Sequence, residues 1–160
     1  MLGHSVSRAT KHRVKGIVVN VTEVGFGRQL LATPAAVGVV RTYVKAQLEK
    51  FGYPHAVADA QLVAAELATN ALAVSERGGS IRVFLGHRPR GLVLGVWDAD
   101  PHMPERKPPP RLTPETLDLD PGGFDDNGGW GLMIVEALVR DLWIERPACG
   151  GKWVCVALNV

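Results

Sequence analysis

The segment 100–127 constrains the fold more than any other feature of this chain. It shows no periodic pattern of apolar residues, and seven of the eleven prolines of the chain lie between Pro101 and Pro121. Proline interrupts helices and central strands, so regular structure is not expected here. An irregular stretch of this length is usually a lid, a binding loop or disorder within one domain, or else a linker between two. The 160 residues favour a single domain.

The residues before this segment first predict a strand and two helices. Residues 14–24 are rich in β-branched side chains and indicate a strand of uncertain register, with residues 29–31 as a candidate continuation. Apolar residues at helical spacing predict a helix that Thr33 caps and Gly52 ends. The same spacing predicts a second helix over residues 54–73.

Two predicted hairpins and a third helix complete the domain. Alternating apolar residues at 81–85 and 92–96 flank a short turn and predict an antiparallel hairpin. Beyond the irregular segment we expect a helix over residues 132–142, a strand that begins at Trp143, and a last strand over residues 153–158. Helices on one face of a mainly antiparallel sheet make a two-layer α+β sandwich, which is the fold class this order predicts.

Charge and composition exclude several classes of protein. The formal net charge is only +2, too small to indicate nucleic acid as the main partner. Basic residues concentrate in residues 1–28, which we interpret as a basic tail with a possible first strand, and residues 29–160 then form the single domain. Such tails are more often solvated than used as binding arms.

Targeting and cysteine patterns agree with a cytoplasmic protein. No run of about eighteen apolar residues predicts a membrane-spanning helix. The N-terminus also lacks the pattern of a secretory signal peptide. Cys149 and Cys155 lack the spacing of a zinc site and are expected to be reduced thiols.

Glu66 and Asn70 are the first candidate site residues. They are four residues apart on a predicted helix that is otherwise mostly apolar or small, so both side chains share a face. A carboxylate can accept a proton or orient a nucleophile. An amide oxygen is a suitable ligand for Mg²⁺. Taken alone, such a pair is more often two solvated polar residues near a helix end, since polar pairs at this spacing are common.

Two further features point to a ligand site. Asp98 ends an apolar strand, where strand ends commonly feed binding loops, although an Asp at this place also starts turns. Gly128, Gly129 and Gly131 directly precede a helix, where glycines let an anion approach the free N–H groups of the helix N-terminus. By themselves these glycines also fit a flexible hinge.

The order of these features resembles the GHKL ATPase superfamily, whose members share the Bergerat fold. Residues 66–71 (ELATNA) match its N-box, residues 97–100 (WDAD) stand where its first glycine box begins, and residues 129–132 (GWGL) match its second glycine box. Residues 150–154 (GGKWV) resemble its closing segment. Within the superfamily, the chain looks most like the small stand-alone anti-sigma-factor serine/threonine kinases of actinobacteria.

The resemblance implies a role for each matching residue. Glu66 would be the general base that orients the attacking hydroxyl, and Asn70 would bind Mg²⁺ through its side-chain oxygen. Asp98 would accept a hydrogen bond from the adenine amino group of ATP. The residues that would form the phosphate-binding start of the last helix are Gly128, Gly129, Gly131 and Leu132.

The resemblance implies that candidate residues on both sides of the irregular segment serve one site. The segment 100–127 is accordingly interpreted as an ATP lid within a single domain rather than as a linker. Its prolines would make it stiffer than a Gly/Ser loop.

The chain departs from the family pattern at three places. The first box usually reads Asp-x-Gly-x-Gly, but Asp100 and His102 stand at the glycine positions. Trp130 separates the two glycines of the second box. Trp153 stands where many relatives have a hydroxyl residue that helps to fix the adenine.

The implied function is the phosphorylation of a STAS-domain anti-anti-sigma protein, with ATP and Mg²⁺, which determines whether a sigma factor is held. The alternative is a non-catalytic or weakly nucleotide-binding module that sequesters a partner. The family suggests a homodimer, and neither nucleic acid nor a membrane is an expected partner. A sensor histidine kinase is disfavoured, because no phospho-accepting helix hairpin or membrane segment precedes the domain.

Overall fold

The computed structural model describes residues 25–104 and 131–160. The residues that precede Gly25, and most of the predicted lid, therefore lie outside the described residues. The elements follow in the order strand, two helices, hairpin, helix, hairpin, as expected. They are β1 (Gly25–Leu31), α1 (Ala35–Phe51), a 3₁₀ turn (Pro54–Ala56), α2 (Val57–Ala73), β2 (Ser80–Arg88), β3 (Gly91–Asp98), α3 (Gly131–Leu138), β4 (Val139–Glu145) and β5 (Lys152–Leu158).

The five strands form one sheet in the order β1-β2-β3-β5-β4, and every neighbouring pair is antiparallel. All three helices contribute to one buried cluster together with alternate residues of β2, β3 and β5, so they lie on the same face of the sheet. The predicted α+β sandwich is confirmed. No helix in the described ranges has both the length and the apolarity that crossing a membrane requires.

The core follows the period-two alternation of the central strands. Since successive side chains of a strand point to opposite faces, the buried odd-numbered residues of β2 face the same side as the even-numbered residues of β3 and β5 that they pair with. The strand residues in this cluster are Ile81, Val83, Leu85, Leu92, Leu94, Val96, Val154, Val156 and Leu158.

On the opposite face of the sheet, arginine guanidinium groups lie over aromatic rings. The distances from guanidinium carbon to ring centroid are between 4.4 and 4.6 Å, within the range of cation–π contacts. These pairs are Arg82 over Trp97, Arg88 over Phe84, and Arg90 over Trp143.

The ends of α1 are built from different kinds of contact. The predicted hydroxyl cap from Thr33 is not formed. The helix begins at Ala35, its N-cap residue is Pro34, and no side-chain hydrogen bond caps this end. The C-terminal stop at Gly52 is confirmed, with φ of 82°. The Tyr53 N–H donates to the Leu48 carbonyl at 2.9 Å, which completes a Schellman motif.

The third helix is shorter than its apolar pattern predicts. We expect a helix to residue 142, but α3 ends at Leu138 and β4 begins at Val139. The reason is tertiary, because Val139 pairs with Leu158 and residues 141–145 continue the ladder with β5. Asn159 closes the boundary by donating to the Leu138 carbonyl at 2.9 Å.

Candidate functional site

A cavity of about 310 Å³ lies among α2, α3 and the adjoining ends of β3 and β5. Its volume falls at the lower end of the usual range for small-molecule sites. Of the candidate residues, Asn70, Asp98 and Leu132 line it, and Lys152 and His102 line it as well. Three sequence features that are far apart along the chain therefore meet in one place.

Glu66 lies against Gly131, the first residue of α3, and is not among the described residues that line the cavity. A Cβ atom added to Gly131 would collide with the Glu66 carboxylate, which shows that backbone and side chain are in close contact. Asn70 follows one turn later on the same face of α2. The other two predicted glycines, Gly128 and Gly129, lie outside the described residues.

Asp98 forms a buried ion pair with Lys152 rather than standing free in the cavity. The Lys152 ammonium donates to Asp98 Oδ1 at 2.8 Å and to the Asp100 carbonyl at 2.8 Å. The two side chains retain only 4% and 3% of their exposure. Burial raises the pKa of Asp98 above its usual value, and the hydrogen bond and positive charge of Lys152 oppose that rise.

Lys152 is a site residue that the sequence interpretation missed. The resemblance aligns Trp153 with a hydroxyl residue of many relatives that helps to fix the adenine. In the structure, Lys152 is the residue that pairs with Asp98 across the β3–β5 ladder and lines the cavity. Trp153 lies on the opposite face, where its ring is close to Gly95. The alternation of Val154, Val156 and Leu158 could have revealed this, since it puts Lys152 on the helix-facing side.

The loop after Asp98 keeps ordinary backbone geometry without the expected glycines. Asp98 Oδ1 accepts the Asp100 N–H at 3.0 Å, and Asp100 Oδ1 accepts the His102 N–H at 3.0 Å. These two Asx-type turns shape residues 98–102, where the predicted lid begins. No non-glycine residue in the described part has a positive φ. The hydrogen bonds from His102 lower the pKa of Asp100.

The Gly150–Gly151 turn places Lys152 opposite Asp98, and we expect Gly151→Ala to destabilise the protein by about 3 kcal/mol. Gly151 has φ of 69°, and a Cβ atom there would collide with the Asp98 carbonyl and lie 2.7 Å from the Trp97 ring. The matched control is Gly150→Ala, where φ is 88° but no atom lies within 4 Å, so only about 1 kcal/mol is lost. Urea unfolding measures both, and equal losses would contradict the close approach.

The protein groups of the site fit a magnesium ion only when a nucleotide and water supply further ligands. Within residues 25–104 and 131–160, no three His, Cys, Asp or Glu side chains are placed to hold a metal. Magnesium is usually bound by one or two protein oxygens together with substrate phosphates and water. Asn70 offers one such oxygen at the cavity wall. The residues therefore fit an ion that is bound jointly with a nucleotide.

The family model described as a histidine kinase-like ATPase domain matches residues 30–158. This match spans every described element from the end of β1 to the last residue of β5. No curated protein matches the chain.

Proposed function

The chain belongs to the histidine kinase-like ATPase domain family, and on this premise we propose that it is an ATP-dependent serine/threonine protein kinase of the anti-sigma-factor type. The family supports ATP as the ligand and the GHKL superfamily as the wider class. The protein substrate and the sigma factor belong to the proposal, which the motif order of the sequence supports.

One observation carries the proposal of catalysis. Glu66 lies against Gly131 at the start of α3, and Asn70 lines the cavity beside Asp98. Within the described residues, neither the Glu66 nor the Asn70 side chain has a hydrogen-bond partner. A carboxylate next to the N-terminus of a helix combines a proton acceptor with an anion-binding end.

Phosphoryl transfer depends mainly on positioning and on charge stabilisation. In the proposed reaction, Glu66 orients the attacking serine or threonine hydroxyl and accepts its proton. The hydroxyl oxygen forms a bond to the γ-phosphorus, the bond between that phosphorus and the β–γ bridging oxygen breaks, and ADP leaves. The N-terminal N–H groups of α3 bind phosphate oxygens. Asn70 would hold Mg²⁺, which supplies charge neutralisation for the phosphates when it is bound.

The proposed substrate is a STAS-domain anti-anti-sigma protein in the cytoplasm. Phosphorylating it would decide whether the kinase holds that protein or the sigma factor. A homodimer is part of the same proposal.

The direct test is phosphate transfer from radiolabelled ATP in the presence of Mg²⁺. The purified protein is mixed with each STAS-domain protein of its native cytoplasm, and labelled serine or threonine is identified by mass spectrometry. Transfer to one of these proteins supports the kinase, whereas ATP binding without transfer to any of them would refute it.

A non-catalytic module that sequesters a partner is the second candidate. The observation in its favour is the engagement of Asp98 Oδ1 by Lys152, because this leaves less acceptor capacity for a nucleotide. Calorimetry with ADP and Mg²⁺ identifies a nucleotide-free module, which shows no heat of binding, and the transfer assay identifies a module that binds nucleotide without catalysis.

We expect Gly131→Ala to lower the rate of phosphate transfer about tenfold or more. The added methyl group collides with the Glu66 carboxylate, and small displacements of a catalytic group are costly. The free energy of unfolding should change by less than about 1 kcal/mol, because the end of the Glu66 side chain can move and Ala favours a helix. Gly38→Ala on α1 is the matched control: no atom lies within 4 Å, so transfer should be unchanged.

A further inference from the structure

At the part of the cavity that Asp98 and Lys152 line, two hydrogen-bonding positions have no partner among the described residues. Lys152 Nζ donates to Asp98 Oδ1 and to the Asp100 carbonyl, and an ammonium has three N–H groups. Within the part of the chain that the structure describes, the third N–H has no acceptor. Asp98 Oδ2 likewise has no donor there. Among the described residues, one N–H of Lys152 and Oδ2 of Asp98 thus lack a partner, and both residues line the cavity.

The Asp98–Lys152 pair is largely shielded from solvent. The side chains of Asp98 and Lys152 are both more than nine-tenths buried, so a ligand rather than bulk water is the natural partner for their remaining polar positions. Both residues line the cavity, so a bound molecule can reach them. The ligand that satisfies both positions offers a donor and an acceptor on neighbouring atoms.

We propose that Lys152 reads the purine base: its ammonium donates to ring nitrogen N1 of adenine while Asp98 Oδ2 accepts from the adjacent 6-amino group. This inference rests on the proposed binding of ATP and adds a specificity-determining residue to it. The 6-oxopurines present the opposite polarity, an acceptor at position 6 and a donor at N1, so the same Asp98–Lys152 pair disfavours them.

The positive charge of Lys152 also favours adenine over the 6-oxopurines. A hydrogen bond from an ammonium is stronger than one from a neutral hydroxyl. The hydrogen bond and the charge of Lys152 oppose the rise that burial causes in the pKa of Asp98, and an ionised Asp98 is an acceptor only. A protonated Asp98 could donate, and the pocket would then accept 6-oxopurines as well.

The test compares nucleotide analogues on the wild-type protein, so that it does not depend on a variant that folds. Calorimetry measures the affinities of ADP, 1-deaza-ADP, 7-deaza-ADP and GDP with Mg²⁺. Loss of N1 should weaken binding about tenfold or more, because it removes a charge-assisted hydrogen bond. The 7-deaza analogue should bind like ADP, and GDP should bind at least tenfold more weakly.

Lys152→Met then tests whether the lysine itself makes the contact. The variant should bind ADP and 1-deaza-ADP with equal affinity, an equality that a purely structural role of Lys152 would not produce. Wild-type affinities for ADP and 1-deaza-ADP within twofold of each other would overturn the inference while leaving ATP binding intact. No binding of ADP at all would refute the proposed function instead.

Discussion

Glu66→Gln lowers the rate of phosphate transfer at least 100-fold in the result that we expect, because a positioned general base contributes about 10² to 10⁴ in rate. The amide keeps nearly the shape of the carboxylate but cannot accept the proton of the attacking hydroxyl. Affinity for ADP should change by less than about threefold. The Glu66 carboxylate lies against Gly131 at the start of α3 and not with Asp98 and Lys152, which are proposed to bind the adenine. Single-turnover transfer and calorimetry measure the two quantities separately.

Glu49→Gln provides the matched control for this substitution. Glu49 is also a helical glutamate, but it is exposed and pairs with Lys45 at 3.9 Å on the surface of α1. An exposed pair of this kind contributes little, so both the rate and the affinity should stay at the wild-type level. If Glu66→Gln retained a third or more of the wild-type rate, Glu66 would not be the general base.

Much of this fold could be predicted because it depends on local patterns. The alternation of Ile81, Val83 and Leu85 and the helical spacing after Thr33 are consequences of which face each element buries. The end of α3 could not be predicted in this way. Leu138, Val139 and Leu142 satisfy a helical period, and only the pairing of β4 with β5 makes the last two residues part of a strand.

The site residues likewise include some that local spacing predicts and some that depend on tertiary pairing. Glu66 and Asn70 share one face of one helix, so their spacing is sufficient to predict that they point the same way. The ion pair between Asp98 and Lys152 joins residues 54 positions apart and depends on the register of β3 against β5. Register is decided by the packing of the whole sheet, which a motif does not contain.

Breaking the Asp98–Lys152 pair from one side should destabilise the protein strongly. Asp98→Asn leaves the Lys152 ammonium buried without its counter-charge, and removal of one partner of such a pair typically costs about 3–5 kcal/mol. Lys152→Met likewise leaves the Asp98 carboxylate buried without its counter-charge. The double variant removes both charges and should lie within about 1 kcal/mol of the wild-type free energy of unfolding. Urea unfolding of the four proteins gives the coupling energy directly.

The pH dependence of Lys152→Met distinguishes a lost charge pair from a simple packing defect. Without the opposing ammonium, burial raises the pKa of Asp98 further above its value in the unfolded chain. The folded state then binds a proton that the unfolded state has released, so the penalty is absent below the unfolded pKa and grows as pH rises toward the folded pKa. We therefore expect this variant to be closer to the wild type at about pH 5 than at about pH 8. A packing defect would give the same difference at both, and additive losses in the double variant would show that the two charges are not coupled.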